Sequence, residues 1–100
     1  MILILYSRKG CCLCEGLEQR LRTIPLHELT PSLNLEVVDI DDLDALSTER
    51  ARYNLEVPVL AIQMDWSKEK VELPRVSPRL DGIALLNWLQ KIVIKTLQLK

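Results

Sequence analysis

The chain has 100 residues, 48% of them apolar, which is enough for one hydrophobic core and too little for two. Thirteen basic residues against fourteen acidic ones leave a formal net charge of −1, and this balance argues against a nucleic acid or a membrane surface as a partner. No run approaches the roughly twenty apolar residues of a membrane span, so we expect residues 1–100 to form a single cytoplasmic domain.

The first half of the chain predicts two strands with a helix between them. Residues 1–6 form a short run rich in isoleucine and leucine, which is typical of a strand buried on both faces. Apolar residues then recur at helical spacing and predict a helix over residues 13–29, which either breaks near Pro25 or continues one turn beyond it. Alternating apolar and polar residues over 33–39 predict the second strand.

The second half predicts a helix, a β-hairpin and a last helix. The first of these helices covers residues 41–54. The hairpin joins a strand over residues 57–62 to a partner over residues 70–73, with an exposed turn around Trp66. The last helix is marked by apolar residues at helical spacing over 85–92.

The element order is therefore β-α-β-α-β-β-α. A strand–helix–strand start implies a right-handed crossover and a parallel first pair, and the later hairpin adds an antiparallel pair. We predict an α/β fold with a mixed four-stranded sheet flanked by helices on both faces. The last helix has two candidate N-caps, Ser77 and Asp81, and the sequence does not choose between them.

Three cysteines, Cys11, Cys12 and Cys14, lie at the predicted turn from the first strand to the first helix. Sites in such sheets lie beyond the carboxyl ends of the parallel strands, where this turn falls. An ordinary thiol with a pKa near 8.5 is only about three per cent ionised at pH 7. Helix N-terminal amides, with Arg8 and Lys9 upstream, are expected to lower a cysteine pKa here by about one to two pH units.

Helical geometry separates the three sulfurs. Cys11 at the cap and Cys14 three residues later share a helix face, about 60° apart, and have the C-x-x-C spacing of a redox pair. Cys12 and Cys14 are about 200° apart and point to opposite sides. We expect Cys11, the more exposed of the pair, to be the attacking thiolate and Cys14 to be the resolving thiol, with Cys12 as a bystander.

Two other interpretations of the cysteines stay open. Cysteine is often a small buried hydrophobe, so the cluster can be inert packing. It can also hold a metal ion or an iron–sulfur cluster, although zinc requires four ligands and the single His27 lies at the far end of the first helix.

Residues 6–14, Tyr-Ser-Arg-Lys-Gly-Cys-Cys-Leu-Cys, together with the Val-Pro-Val of residues 57–59, resemble the glutaredoxin-like family of the thioredoxin fold. The similarity of element order covers nearly the whole chain. The resemblance implies a thiol–disulfide oxidoreductase with no bound cofactor. It also implies a disulfide-containing protein or glutathione as the substrate, and makes glutathione a candidate co-substrate.

Carried over residue by residue, the resemblance implies that Cys11 is the nucleophile and Cys14 the resolving thiol. Pro58 is then a cis proline facing the active-site turn, and Val57 offers its backbone to an extended substrate. Arg8 matches the basic position that binds a glutathione carboxylate in glutaredoxins.

The chain departs from true glutaredoxins at two places. Cys12 and Leu13 stand between the redox cysteines, where a proline and an aromatic residue are usual. Residues 74–82 contain no glycine pair before the last helix, which weighs against glutathione as the natural reductant, since close approach of a ligand to the backbone usually needs glycine. A non-catalytic redox sensor or a metal-binding or iron–sulfur module of the thioredoxin fold is the alternative function.

Overall fold

The computed structural model describes residues 1–29, 32–42, 57–64, 70–76 and 80–98. It contains strands β1 (Ile2–Ser7), β2 (Asn34–Asp39), β3 (Val59–Gln63) and β4 (Lys70–Glu72), α-helices α1 (Cys12–Thr23) and α2 (Gly82–Gln98), and 3-10 turns at Leu26–Glu28 and Ile40–Asp42.

The four described strands form one mixed sheet in the order β2-β1-β3-β4. β1 pairs parallel with β2 and antiparallel with β3, and β3 pairs antiparallel with β4. In the middle of β1, Leu5 lies opposite Val37 on one side and Leu60 on the other. The predicted mixed four-stranded sheet is confirmed, and its topology is that of the thioredoxin fold.

The two faces of β1 contribute to two separate hydrophobic clusters. Leu3 and Leu5 point to the face covered by both described α-helices, where they join the buried residues Leu17 and Leu21 of α1 and Leu85, Leu89 and Val93 of α2. Ile4 and Tyr6 point to the opposite face, with Ile40, Val59 and Ala61. The prediction that the first strand is buried on both faces is therefore confirmed. This burial explains why apolar and polar residues do not alternate along β1.

α1 ends before the proline that the sequence singled out. Ile24 has extended backbone angles, φ −96° and ψ 150°, as the residue before a proline prefers. Pro25 then leads into the 3-10 turn Leu26–Glu28 rather than a continued α-helix. The predicted break near Pro25 is confirmed, and continuation of the helix to Leu29 is wrong.

Other predicted elements lie partly outside the described residues. Of the helix expected over residues 41–54, the structure describes Asp41 and Asp42, which belong to a 3-10 turn, and residues 43–54 lie outside it. The hairpin turn with Trp66 and the candidate cap Ser77 also lie outside the described residues.

Asp81 caps α2. Its Oδ1 atom accepts a hydrogen bond from the amide of Ala84 at 2.8 Å, and its backbone carbonyl accepts one from Leu85, also at 2.8 Å. α2 continues past the predicted residues to Gln98, because Val93 and Leu97 maintain the apolar spacing. Among the described helices, none combines the length and the apolar character that crossing a membrane requires.

The Asp81 cap predicts a stability difference between two matched substitutions. Asp81→Ala removes the acceptor for the Ala84 amide and should lower the free energy of unfolding by about 1 kcal/mol. Asp81→Asn keeps a capping oxygen and should cost only a few tenths of that amount, since Asn and Asp rank together as N-caps. Urea unfolding of the three proteins measures both values, and equal losses in the two variants would contradict a capping role.

Candidate functional site

A tight turn carries the chain from β1 to α1. The amide of Cys11 donates to the carbonyl of Arg8 at 3.2 Å, which closes a four-residue turn. Gly10, the third residue of this turn, has φ 81°, as type II turns require at that position. Glycine adopts this angle without steric cost, and the turn brings Cys11 directly to the start of the helix.

Cys11 and Cys14 are joined by a disulfide bond at the N-terminus of α1. Cys11 is the N-cap, Cys14 lies in the first turn, and their Cα atoms are 5.2 Å apart. The amide of Cys14 also donates a hydrogen bond to the Cys11 Sγ atom at 3.2 Å. The pairing expected from helical spacing is therefore confirmed, and the Cys11 sulfur lies at the amide-rich end of the helix.

The three cysteines differ in exposure. Cys14 is 1% exposed and is one of the buried residues of α1, whereas Cys11 is partly exposed. Cys12 is exposed and stands outside the disulfide as a free thiol. Because a substrate sulfur must approach along the line of the disulfide, access favours Cys11 over Cys14 as the sulfur that meets a substrate.

A small cleft lies beside Leu13, the residue between Cys12 and Cys14. It has a volume of about 70 Å³ and is lined by residues from three parts of the chain, namely Leu13, Leu17, Pro58, Arg75 and Val76. The Val57–Pro58 peptide bond is cis. Pro58 lies just before β3, so the sheet order brings it to the end of β1 from which the cysteine turn leaves.

Leu13 gives the cleft an exposed apolar wall. This side chain is 55% exposed although it lies between Cys12 and Cys14 on a helix whose other large apolar residues face the core. The helical spacing of the sequence placed Leu13 with Leu17 and Leu21 on the apolar face of the helix, and for Leu13 this prediction is wrong. Leu13 meets Pro58 and Val76 in the cleft, and this contact depends on where the fold places the start of β3 and the segment after β4.

The structure places Arg8 in an ion pair. Its Nε and Nη2 atoms lie 3.1 Å from Oδ2 and Oδ1 of Asp41, so the contact is bidentate. Ser7 lies opposite Asp39 in the parallel β1–β2 pair, and Arg8 and Asp41 follow these residues at the same edge of the sheet. The sequence did not identify Asp41 as a partner of Arg8. The signal that locates Asp41 is the parallel register of the β-α-β unit, which brings the ends of β1 and β2 to the same edge of the sheet.

His27 lies apart from the cysteines. It is exposed in the 3-10 turn Leu26–Glu28, which follows the C-terminal end of α1, whereas the cysteines are at the N-terminal end. Within the described ranges, no group of three or more histidine, cysteine, aspartate or glutamate side chains is arranged to hold a metal ion.

Comparisons with known proteins agree with the fold. The family model described as "Glutaredoxin-like domain (DUF836)" matches residues 2–90. A solved structural-genomics target protein, XcR50 from X. campestris, is 28% identical and has a TM-score of 0.51, with 89% of this chain and 96% of that chain covered.

A solved malarial protein is 16% identical and has a TM-score of 0.57, with 91% of this chain and 94% of that chain covered, and this likeness shows the fold alone. No curated protein matches the chain.

The Gly10 turn predicts opposite effects of alanine at two glycines. Gly10→Ala should lower the free energy of unfolding by about 1 kcal/mol, because φ 81° is strained for an L-residue although the added Cβ meets no atom within 4 Å.

Gly16→Ala is the control, since Gly16 lies inside α1 and the nearest atom to its added Cβ is Arg20 Nη2 at 3.9 Å. It should raise the free energy of unfolding by about 0.5–1 kcal/mol. Urea unfolding of the oxidised proteins measures both, and a stabilising Gly10→Ala would contradict the turn.

Proposed function

Because the chain belongs to the family of glutaredoxin-like domains, we propose that it is a thiol–disulfide oxidoreductase that uses Cys11 and Cys14 as its redox pair. The observation that carries this proposal is the Cys11–Cys14 disulfide at the start of α1, with the Cys14 amide directed at the Cys11 sulfur. A disulfide between residues only three apart restricts the unfolded chain little, so a structural role is a weak explanation for it.

The reaction proceeds by two thiolate attacks. The Cys11 thiolate attacks one sulfur of a substrate disulfide, forms a mixed disulfide and releases the other substrate sulfur as a thiolate, which takes up a proton. Cys14 then loses its proton and attacks the Cys11 sulfur, which releases the second substrate thiol and leaves the Cys11–Cys14 disulfide. Two electrons pass from the protein to the substrate, and an external thiol restores the dithiol.

Three groups support Cys11 as the attacking sulfur. Its position at the N-cap of α1 exposes it to the partial positive charge of the helix terminus, and the Cys14 amide donates to it directly. Lys9, exposed two residues upstream, adds a positive charge. We propose that these groups favour the thiolate form of Cys11 in the reduced protein.

The substrate lies along the cleft beside Pro58. The backbone of Val57 is then available to an extended polypeptide segment, and the apolar wall formed by Leu13 and Val76 can receive a side chain next to the substrate cysteine. Arg8 is the proposed contact for a substrate carboxylate that displaces Asp41 from its guanidinium group. We propose a disulfide-containing protein or glutathione as the substrate, without a nucleic acid or membrane partner.

The chemistry requires only the two sulfurs, so we propose that the protein works without a bound cofactor. We also propose that it works in the cytoplasm, with glutathione as a candidate co-substrate.

The proposed pKa of Cys11 can be tested by alkylation. At pH 6, lowering a thiol pKa by one to two pH units raises the thiolate fraction about ten- to a hundredfold, and the lower nucleophilicity offsets roughly half of this gain on a logarithmic scale. Iodoacetamide should therefore modify Cys11 of the reduced native protein about three- to tenfold faster than Cys11 of the urea-unfolded protein. Mass spectrometry of the peptides measures both rates, and equal rates would exclude an activated Cys11.

The division of roles between the cysteines predicts different fates for two serine variants. Cys14→Ser should accumulate a mixed disulfide on Cys11, because no second thiolate releases the substrate. Cys12→Ser, the matched control, should complete the reaction and return to the Cys11–Cys14 disulfide. A wild-type protein that oxidises once and never turns over with excess thiol would favour the redox-sensor alternative instead.

The apolar wall of the cleft predicts a substrate-dependent effect at Leu13. Leu13→Ser should lower kcat/KM for reduction of insulin disulfides on the order of tenfold, since burying roughly half a leucine side chain is worth somewhat more than 1 kcal/mol. Reduction of the small hydroxyethyl disulfide should change little. Ile94→Ser is the control, because Ile94 is an apolar residue of α2 with 41% exposure. Equal losses for both substrates would place the effect at the cysteines rather than in the cleft.

A further inference from the structure

The guanidinium group of Arg8, a residue of the turn that leads to Cys11, is already bound by a carboxylate of the same chain. Arg8 and Asp41 form two parallel contacts of 3.1 Å each, the geometry in which arginine binds any carboxylate. Both side chains remain partly exposed, at 33% and 45%. A carboxylate arriving from solvent therefore meets an arginine whose bidentate face is occupied.

The backbone holds Asp41 in this position. The parallel β1–β2 register places Ser7 opposite Asp39, and the Asp41 amide donates to the Asp39 Oδ1 atom at 2.9 Å. Ile40, between the two aspartates, is completely buried and anchors the turn. The Asp41 carboxylate is thus presented to Arg8 by a fixed turn, and it competes with external carboxylates at a high effective concentration.

Arg8 lies in the same turn as Cys11. The hydrogen bond from the Cys11 amide to the Arg8 carbonyl closes a β-turn, so the two Cα atoms are within about 7 Å of each other. The charged groups of a small thiol attached to Cys11 can reach over a similar distance. Asp41 occupies the guanidinium group of Arg8, which would otherwise favour a carboxylate there, and adds a negative charge that repels it.

We infer that Asp41 is a specificity-determining residue that disfavours glutathione and leaves internal cysteines of polypeptides as the favoured substrates. Glutathione carries one carboxylate on each of the two residues that flank its cysteine, whereas an internal cysteine residue of a polypeptide brings none of its own. The inference rests on the proposed oxidoreductase function and assigns the substrate class of the same site. It also agrees with the apolar cleft beside Pro58, which suits a polypeptide side chain.

The test compares a charged disulfide with a neutral one. Reduced wild-type protein and the Asp41→Asn variant are each mixed at pH 7 with glutathione disulfide and, separately, with hydroxyethyl disulfide, and the rate constants for oxidation of Cys11 are measured. The ratio of the glutathione rate to the hydroxyethyl rate cancels changes in the reactivity of Cys11 itself. Asp41→Asn should raise this ratio about two- to fivefold, as expected for release of a partly exposed ion pair.

Two controls identify the group that acts. Glu36→Gln removes an exposed negative charge from β2 without touching the ion pair, and it should leave the ratio within experimental error. In the Arg8→Gln/Asp41→Asn double variant most of the gain should disappear, because the effect of Asp41 is inferred to act through the Arg8 guanidinium. Asp41→Ser serves as a second variant in case Asp41→Asn folds poorly.

Each outcome decides between the two proposals. An unchanged ratio in folded Asp41→Asn and Asp41→Ser, with normal hydroxyethyl disulfide rates, overturns the role of Asp41 and leaves the oxidoreductase function intact. A gain that persists in the double variant, or appears equally in Glu36→Gln, overturns it as well. Failure of the wild-type protein to react with either disulfide overturns both proposals.

Discussion

Burial of β1 on both faces is the constraint on which the rest of the structure depends. Leu3 and Leu5 pack against α1 and α2, Ile4 and Tyr6 pack on the opposite face, and all four are almost inaccessible to solvent. Both edges of the strand are also hydrogen-bonded, to β2 and to β3. Since shifting such a strand by one residue would turn every side chain to the wrong face, its register is fixed, and so is the position at which it ends.

The candidate site is built where β1 ends. The Gly10 turn transfers the fixed position of the strand to Cys11, and α1 then places Cys14 beneath it in a buried position. β3 runs antiparallel to β1, so Pro58 at its start reaches the same end of the sheet. The difference in exposure between the two sulfurs therefore follows from packing, while their spacing follows from the helix. Both are needed for a dithiol that attacks with one sulfur and resolves with the other.

The charges around the site show how a tertiary contact changes the meaning of a motif residue. In the sequence, Arg8 is a basic residue near a cysteine, and its role is inferred from resemblance to glutaredoxins. In the structure its guanidinium is held by Asp41, 33 residues away. No local pattern reports this pair, because it arises from the parallel register of β1 and β2 and from the 3-10 turn that follows β2. The Arg8 guanidinium is therefore less available to a carboxylate ligand than the sequence motif alone indicates.

The sequence by itself determined the features that depend on residues within about one helical turn of each other. These include the buried character of β1 and the Cys11–Cys14 pairing, which rest on the apolar pattern of residues 1–6 and on helical geometry. Tertiary structure decided the Asp81 cap, the meeting of Leu13, Pro58 and Val76 in one cleft and the ion pair between Arg8 and Asp41. The cap was a choice between two plausible residues, and the cleft and the ion pair join segments far apart in sequence, whose contact depends on strand order and register.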